Sequence, residues 1–146
     1  MVDRNELPQL ARDLFLTDGG IETSLIFHRG LDLPEFAAFD LLKDERGTEE
    51  LRRYFEPYLA LAADHGAGFV LESPTWRANP RWAAEIGYSP DELDQANRKA
   101  ISLMAALRDR SQDEVSTIVI SGCVGPQDDG YNPAGKLSAD QATGYH

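Results

Sequence analysis

Three short apolar segments alternate with longer segments in which apolar residues recur at helical spacing. The short segments are residues 14–16, 68–73 and 115–121, and the longest apolar runs within them are only a few residues long. Continuous apolar runs of this length are typical of strands that are buried on both faces of a parallel sheet. Alternation of such strands with amphipathic helices predicts βαβ units and an α/β fold with parallel strands.

Polar residues that can cap helices indicate where the two longest helices begin. Thr48 is predicted to cap a helix that ends at Gly66, where a left-handed residue can stop it. Ser89 and Glu92 have the spacing of a capping box, and Pro90 stands at the first helical position between them. We therefore expect one helix before the second strand and another before the third.

Weaker signals predict the remaining elements. A short helix is expected over residues 22–29 and another over residues 80–87, the second capped by Asn79. Residues 31–44 show no clear apolar period and are predicted to be irregular. A second capping box, formed by Ser138 and Gln141, opens a last helix close to residue 146.

The predicted strands are few for either common parallel fold. A closed (β/α)₈ barrel needs eight strands and roughly 200 residues or more, and a flavodoxin-like domain needs about five strands. A chain of 146 residues has room for one domain. We therefore expect residues 1–146 to form a single incomplete domain, as a fragment or one piece of a larger polypeptide.

Composition limits the classes of partner. The chain has 25 acidic and 14 basic residues and a net charge of −11, which disfavours nucleic acids and anionic membrane surfaces as partners. No segment has the roughly 18–20 apolar residues that a membrane span needs, and residues 1–6 do not begin a secretory signal. A single cysteine excludes an internal disulfide. We expect a cytoplasmic protein whose partner is a small molecule.

Candidate binding residues follow each predicted strand. Asp18, Gly19 and Gly20 come directly after the first strand, and the other two strands lead into residues 72–79 and 121–126. Ligands of parallel α/β proteins bind at the carboxyl ends of the strands. Glycine N–H groups there can hold a carboxylate, and the Asp18 carboxylate can hold an ammonium group. This edge is therefore suited to a zwitterionic amino acid.

Three motifs at this edge resemble the homocysteine S-methyltransferase family. They are residues 16–25 (LTDGGIETSL), residues 65–79 (HGAGFVLESPTWRAN) and residues 121–126 (SGCVGP). The first is similar to the opening motif of the family, the second to its second-strand segment and the third to its Gly-Ser-Val-Gly-Pro turn. The order and spacing agree from about residue 14 to residue 146.

The resemblance implies an α/β fold in which this chain is the N-terminal part, about three βα units, of a (β/α)₈ TIM-type barrel. It also implies a methyltransferase that moves a methyl group from a donor to the thiol of homocysteine, giving methionine. Asp18, Gly19 and Gly20 would hold the amino-acid end of homocysteine, with Thr75 as the next candidate. The family uses zinc, and its ligands are expected beyond His146. The 146-residue chain alone is therefore expected to be inactive.

Several residues depart from the family pattern or are secondary site candidates. Glu22 replaces a usual glycine, Arg77 stands where an uncharged, often aromatic residue is expected, and Cys123 replaces a usual serine. Glu22, Cys123, Trp76 and Gly122 are secondary substrate-binding candidates, although Glu22 is more simply explained as a surface charge. Cys123 has no Cys or His partner at ligand spacing, so no metal ligand is predicted within this chain.

Two alternatives compete with the methyltransferase hypothesis. The chain could be an unrelated parallel α/β small-molecule-binding domain, although no Gly-x-Gly-x-x-Gly or Walker-type loop follows any strand. It could also be a truncated, catalytically empty chain.

Overall fold

The computed structural model describes residues 7–11, 13–131, 135 and 137–145. It contains a three-stranded sheet of β1 (Phe15–Thr17), β2 (Gly68–Glu72) and β3 (Ile118–Ser121). The strands lie in the order β1-β2-β3 and both pairings are parallel. This confirms the predicted parallel α/β architecture.

Five α-helices accompany these strands in the described part of the chain. They are α1 (Ile21–Thr23), α2 (Glu45–Asp64), α3 (Pro80–Glu85), α4 (Pro90–Ser111) and α5 (Ala139–Tyr145). Both predicted capping boxes form: Ser89 pairs with Glu92 at the start of α4, and Ser138 pairs with Gln141 at the start of α5. No described helix is both long enough and apolar enough to span a membrane.

The predicted start of the helix before β2 was wrong. Helix α2 begins at Glu45, because the Asp44 carboxylate accepts a hydrogen bond from Gly47 N at 2.7 Å and caps the helix. Thr48 lies inside the first turn, where its hydroxyl donates to the Asp44 carbonyl oxygen. The helix predicted over residues 22–29 starts at Ile21 as α1 and continues as a π-helical turn, Ser24–His28.

The prediction of irregular structure over residues 31–44 was also wrong. This segment forms two 3₁₀ helices, Pro34–Phe36 and Ala38–Lys43. Phe39 is fully buried in the core, which explains why short helical turns without an amphipathic period are stable here. Glu35 and Phe36 both have positive φ, 51° and 55°, which is strained backbone for residues other than glycine.

The third strand is shorter than predicted. It begins at Ile118, whereas the sequence placed its start at residue 115. Val115 instead lies in the turn that follows α4, where its N–H donates to the Ser111 carbonyl oxygen at 2.9 Å. Val115 is apolar because it is buried in the core and not because it pairs within the sheet.

The core lies where α2 and α4 pack against the sheet and against each other. Phe55 and Met104, from the two helices, and Phe69 and Leu71, from β2, are fully buried. β1 and β3 each have a single strand neighbour among the described residues, so both edges of the sheet are open. This packing fixes the carboxyl ends of all three strands at one edge of the domain.

Candidate functional site

A cavity of about 600 Å³ lies at the carboxyl ends of the strands. It includes Asp18 after β1, Glu72 at the end of β2 and Cys123 after β3, so all three strand ends contribute to it. Ligand sites of parallel α/β proteins are found at this position. The other lining residues are Gly19, Gly20, Ile21, Glu22, Thr23, Phe36, Ser73, Pro74, Trp76, Arg77, Asp129 and Tyr131.

Asp18 is held in place by a residue of helix α2. The Tyr54 hydroxyl lies 2.8 Å from Asp18 Oδ2 and 3.0 Å from the Gly19 carbonyl oxygen, and it donates to these acceptors. Tyr54 itself is only 3% exposed, because α2 packs its ring into the core. The buried tyrosine therefore fixes the carboxylate at the wall of the cavity.

Three carboxyl groups make this part of the cavity electronegative. Burial raises the pKa of Asp18, and nearby Glu72 adds to the rise while the Tyr54 hydrogen bond opposes it. Burial also raises the pKa of Glu22, where Asp18 and Glu72 act in the same direction and Arg77 opposes them. Glu22 is half-buried in the cavity wall and is not the simple surface charge that the sequence favoured. A cationic group is the natural partner of this cluster.

The Gly19-Gly20 turn lies beside the carboxyl groups. The N–H groups of Gly19 and Gly20 have no acceptor among the described residues. A Cβ atom at Gly19 would lie 3.1 Å from the Tyr58 hydroxyl oxygen, so a larger residue would disturb the contact with α2. The turn thus brings two free N–H donors next to the Asp18 carboxylate. A site that binds an amino acid needs both, because the donors can bind its carboxylate and the Asp18 carboxylate can bind its ammonium group.

Arg77 is a cavity residue whose importance the sequence did not reveal. Its side chain is 8% exposed, its guanidinium carbon lies 3.8 Å from the Trp82 ring centroid and 4.7 Å from that of Trp76, and its Nη1 donates to the Glu35 carbonyl oxygen at 2.7 Å. The sequence marked Arg77 only as a departure from a family pattern. The two nearby tryptophans are the signal that could have indicated a stacked arginine.

Thr75 and Gly122 do not line this cavity. They line an adjoining cavity of about 380 Å³, and Trp76 and Cys123 line both. The buried Thr75 hydroxyl donates to the Cys123 carbonyl oxygen at 2.8 Å and lies 2.7 Å from Ser73 Oγ. In this structure Thr75 therefore connects the turn after β2 to the turn after β3.

Cys123 faces the carboxyl cluster with a protonated thiol. Burial, followed by the charge and hydrogen bond of Glu72, raises its pKa to about 12. The described residues contain no group of three or more His, Cys, Asp or Glu side chains that could hold a metal ion. Cys123 is the single cysteine of the chain, so the described residues do not supply the several thiolates of a cysteine-based zinc site and this donor set does not fit zinc.

Parallel βα units with a polar cavity at the carboxyl ends of their strands define a barrel-type or doubly wound α/β domain that binds a small molecule. The family model described as homocysteine S-methyltransferase matches residues 15–146, so the chain belongs to the homocysteine S-methyltransferase family. The three βα units are accordingly a portion of a TIM-type barrel. Comparisons with curated proteins and with solved structures give no match.

Proposed function

We propose that this chain provides the amino-acid-binding end of a homocysteine S-methyltransferase, in which the thiol of homocysteine accepts a methyl group and becomes methionine. Family membership supports methyl transfer as the class of reaction. The observation that carries the proposal is the Asp18 carboxylate, held by Tyr54 at the cavity wall beside two free glycine N–H groups. Membership of the family also excludes the alternative that the chain is an unrelated α/β domain.

In this proposal both charged groups of the substrate bind beside the Gly-Gly turn. The ammonium group binds Asp18, with Glu22 and Glu72 adding negative charge nearby. The carboxylate accepts hydrogen bonds from the N–H groups of Gly19 and Gly20. The reaction forms a sulfur–carbon bond, breaks the bond between methyl and donor, and releases the thiol proton.

The roles of the other predicted residues are more indirect. Thr75 positions the turn after β2 through its bond to the Cys123 carbonyl oxygen, and Trp76 forms part of the cavity wall. Because the described donor set does not fit zinc, no step is assigned to a metal here. We propose that the 146-residue chain binds the amino acid and transfers no methyl group alone, which a methionine-formation assay tests directly.

Asp18→Asn tests the proposed ammonium site. We expect this variant to weaken homocysteine binding by about 2–4 kcal/mol, because it removes the charge that pairs with the ammonium group while it keeps an oxygen for Tyr54. Isothermal titration calorimetry of the two chains measures this difference. Asp64→Asn is the control, since Asp64 is exposed at the end of α2 and precedes the amino end of β2. Equal affinities of Asp18→Asn and the unchanged chain would disprove the proposed role.

The pH dependence of binding provides a second test of the same site. Asp18 must be ionised to pair with an ammonium group, and its pKa is raised above the ordinary value of 3.8. Homocysteine affinity should therefore fall as the pH drops through this raised pKa, while the Asp18→Asn chain lacks that part of the pH dependence. Identical pH profiles for the two chains would contradict the assignment.

A further inference from the structure

We propose, on the basis of the function proposed above, that Arg77 determines specificity by binding the carboxylate of the amino acid together with the N–H groups of Gly19 and Gly20, which line the same cavity. The sequence and the family match assign no such role to this residue. This role adds a cationic partner to the wall of the same cavity that contains the carboxyl cluster. It predicts that the site selects molecules with both an ammonium and a carboxylate group.

The first observation is that Arg77 is a buried charge with few acceptors. The side chain is 8% exposed, and its Nε is buried without a hydrogen-bond partner among the residues the structure describes. The carboxylate that approaches it, Asp129, is 3.9 Å away between Oδ1 and Nη2, which is too long for a hydrogen bond. A buried guanidinium with unsatisfied N–H groups is costly unless an anion completes its bonding.

The second observation is the geometry of the guanidinium. The guanidinium carbon lies 3.8 Å from the ring centroid of Trp82, 4.7 Å from that of Trp76 and 6.0 Å from that of Phe36. These rings contact the cation without accepting its in-plane N–H groups, which have the fork geometry that matches a carboxylate. Arg77 also lines the same cavity as Asp18 and Glu22. A zwitterion in this cavity therefore has one complementary charge for each of its own.

A structural role is the competing explanation. Nη1 of Arg77 donates to the carbonyl oxygen of Glu35. Glu35 and the next residue, Phe36, both have left-handed backbone geometry. Arg77 could act only by holding this strained segment against the cavity. That role requires one N–H group and predicts no dependence on the carboxylate of a ligand. The two explanations therefore differ in whether the loss of affinity caused by an Arg77 substitution depends on the carboxylate of the ligand.

The experiment measures binding of three ligands to four chains by isothermal titration calorimetry. The ligands are homocysteine, 3-aminopropanethiol, which lacks the carboxylate, and 2-aminobutyrate, which lacks the sulfur. The chains are the unchanged protein, Arg77→Gln, Arg77→Lys and the control Arg81→Gln. Arg81 also stacks on Trp82, at 5.1 Å, but it pairs with Asp128 and does not line the cavity.

We expect Arg77→Gln to weaken homocysteine binding by about ten- to a hundredfold, the range for a hydrogen bond to a charged group. Binding of 3-aminopropanethiol should change less than about threefold, because it has no carboxylate to lose a contact. Arg77→Lys should lie between the two, since it keeps the charge without the planar fork. Arg81→Gln should bind all three ligands as the unchanged chain does.

Equal losses for homocysteine and 3-aminopropanethiol, or no loss for either, would overturn the role of Arg77. If Arg77→Gln does not fold by circular dichroism, Arg77→Lys carries the same comparison. A chain that binds homocysteine and 3-aminopropanethiol equally well in its unchanged form would also overturn it. Equal binding of 2-aminobutyrate and homocysteine would instead count against the proposed thiol substrate, and the carboxylate dependence on Arg77 would still be measured.

Discussion

The hydroxyl of Tyr54 joins the hydrophobic core to the cavity. Its ring packs edge-on against Phe55 at 5.0 Å and lies 5.3 Å from Tyr58, while its oxygen donates to Asp18. Because the core immobilises Tyr54, the Asp18 carboxylate that it holds loses little further conformational freedom when a ligand binds. Tyr54 therefore contributes to the core through its ring and to the cavity through its hydroxyl.

The sequence alone singled out Asp18 as a candidate site residue, whereas it did not single out Arg77 and Glu72 as cavity residues. Asp18 precedes two glycines directly after an apolar strand, so its position follows from local sequence alone. Arg77 depends on contacts with Glu35 and Trp82, and the first of these is 42 residues away along the chain. Contacts of that kind require knowledge of how the segments pack, which residue patterns do not provide.

The Cys123 thiol should be unreactive at mildly alkaline pH. Its pKa rises from 9.0 to about 12, so at pH 8 its thiolate fraction falls by about three orders of magnitude. Alkylation by iodoacetamide in the folded chain should therefore be on the order of a hundredfold or more slower than in the unfolded chain. Mass spectrometry of timed reactions measures both rates.

Glu72→Gln should speed this alkylation, because it removes the nearest charge that disfavours the thiolate. Glu85→Gln is the matched control, since Glu85 is exposed on α3 and does not line the cavity. Similar rates for the folded and unfolded chains would show that Cys123 does not lie in the environment described above.

At the scale of elements, helix starts with complete capping boxes were predicted well. Ser89 and Glu92 satisfy each other's backbone groups within four residues, so the signal is local and the start of α4 was correct. The 3₁₀ helices over Pro34–Phe36 and Ala38–Lys43 were missed, because their stability comes from packing of Phe39 and Leu42 in the core. Element type was therefore predictable wherever short-range hydrogen bonds decide it.

Gly125 should be required for the turn after β3. A Cβ atom at this position would collide with the Trp76 carbonyl oxygen, whereas a Cβ atom at Gly122 would meet nothing within 4 Å. We expect Gly125→Ala to lower the free energy of unfolding by about 1–3 kcal/mol, through the strain of overpacking, and to displace Trp76 at the cavity. Urea denaturation followed by tryptophan fluorescence measures both effects.

Gly122→Ala is the control for that substitution, because it lies in the same turn with open space around it. It should change the free energy of unfolding by less than about 0.5 kcal/mol. Equal destabilisation by the two substitutions would mean that the close approach of the two turns does not contribute to stability.

At the scale of the whole molecule, the open sheet is the main structural feature. β1 and β3 each have one unpaired edge among the described residues, and large apolar side chains such as Leu14 and Val124 are 65% and 81% exposed. Unpaired strand edges and apolar surface favour association with other chains. The number of strands was predictable from the apolar runs, and the family match explains why a barrel portion has this form.

The isolated chain should therefore associate or be poorly soluble. We expect size-exclusion chromatography with light scattering to give a mass above that of the 16.2 kDa chain, rising with protein concentration. A clean monomer mass at all concentrations, together with a cooperative thermal transition, would contradict this expectation.

We propose that the cavity at the carboxyl ends of the strands binds an amino acid beside Asp18. An NMR titration of the ¹⁵N-labelled chain with homocysteine tests it most directly, because backbone amide shifts locate a ligand residue by residue. The largest shift changes are expected at Gly19, Gly20 and Trp76, which line this cavity. Changes centred instead on the separate polar cavity around Lys43 and Tyr88, or no changes at all, would contradict it.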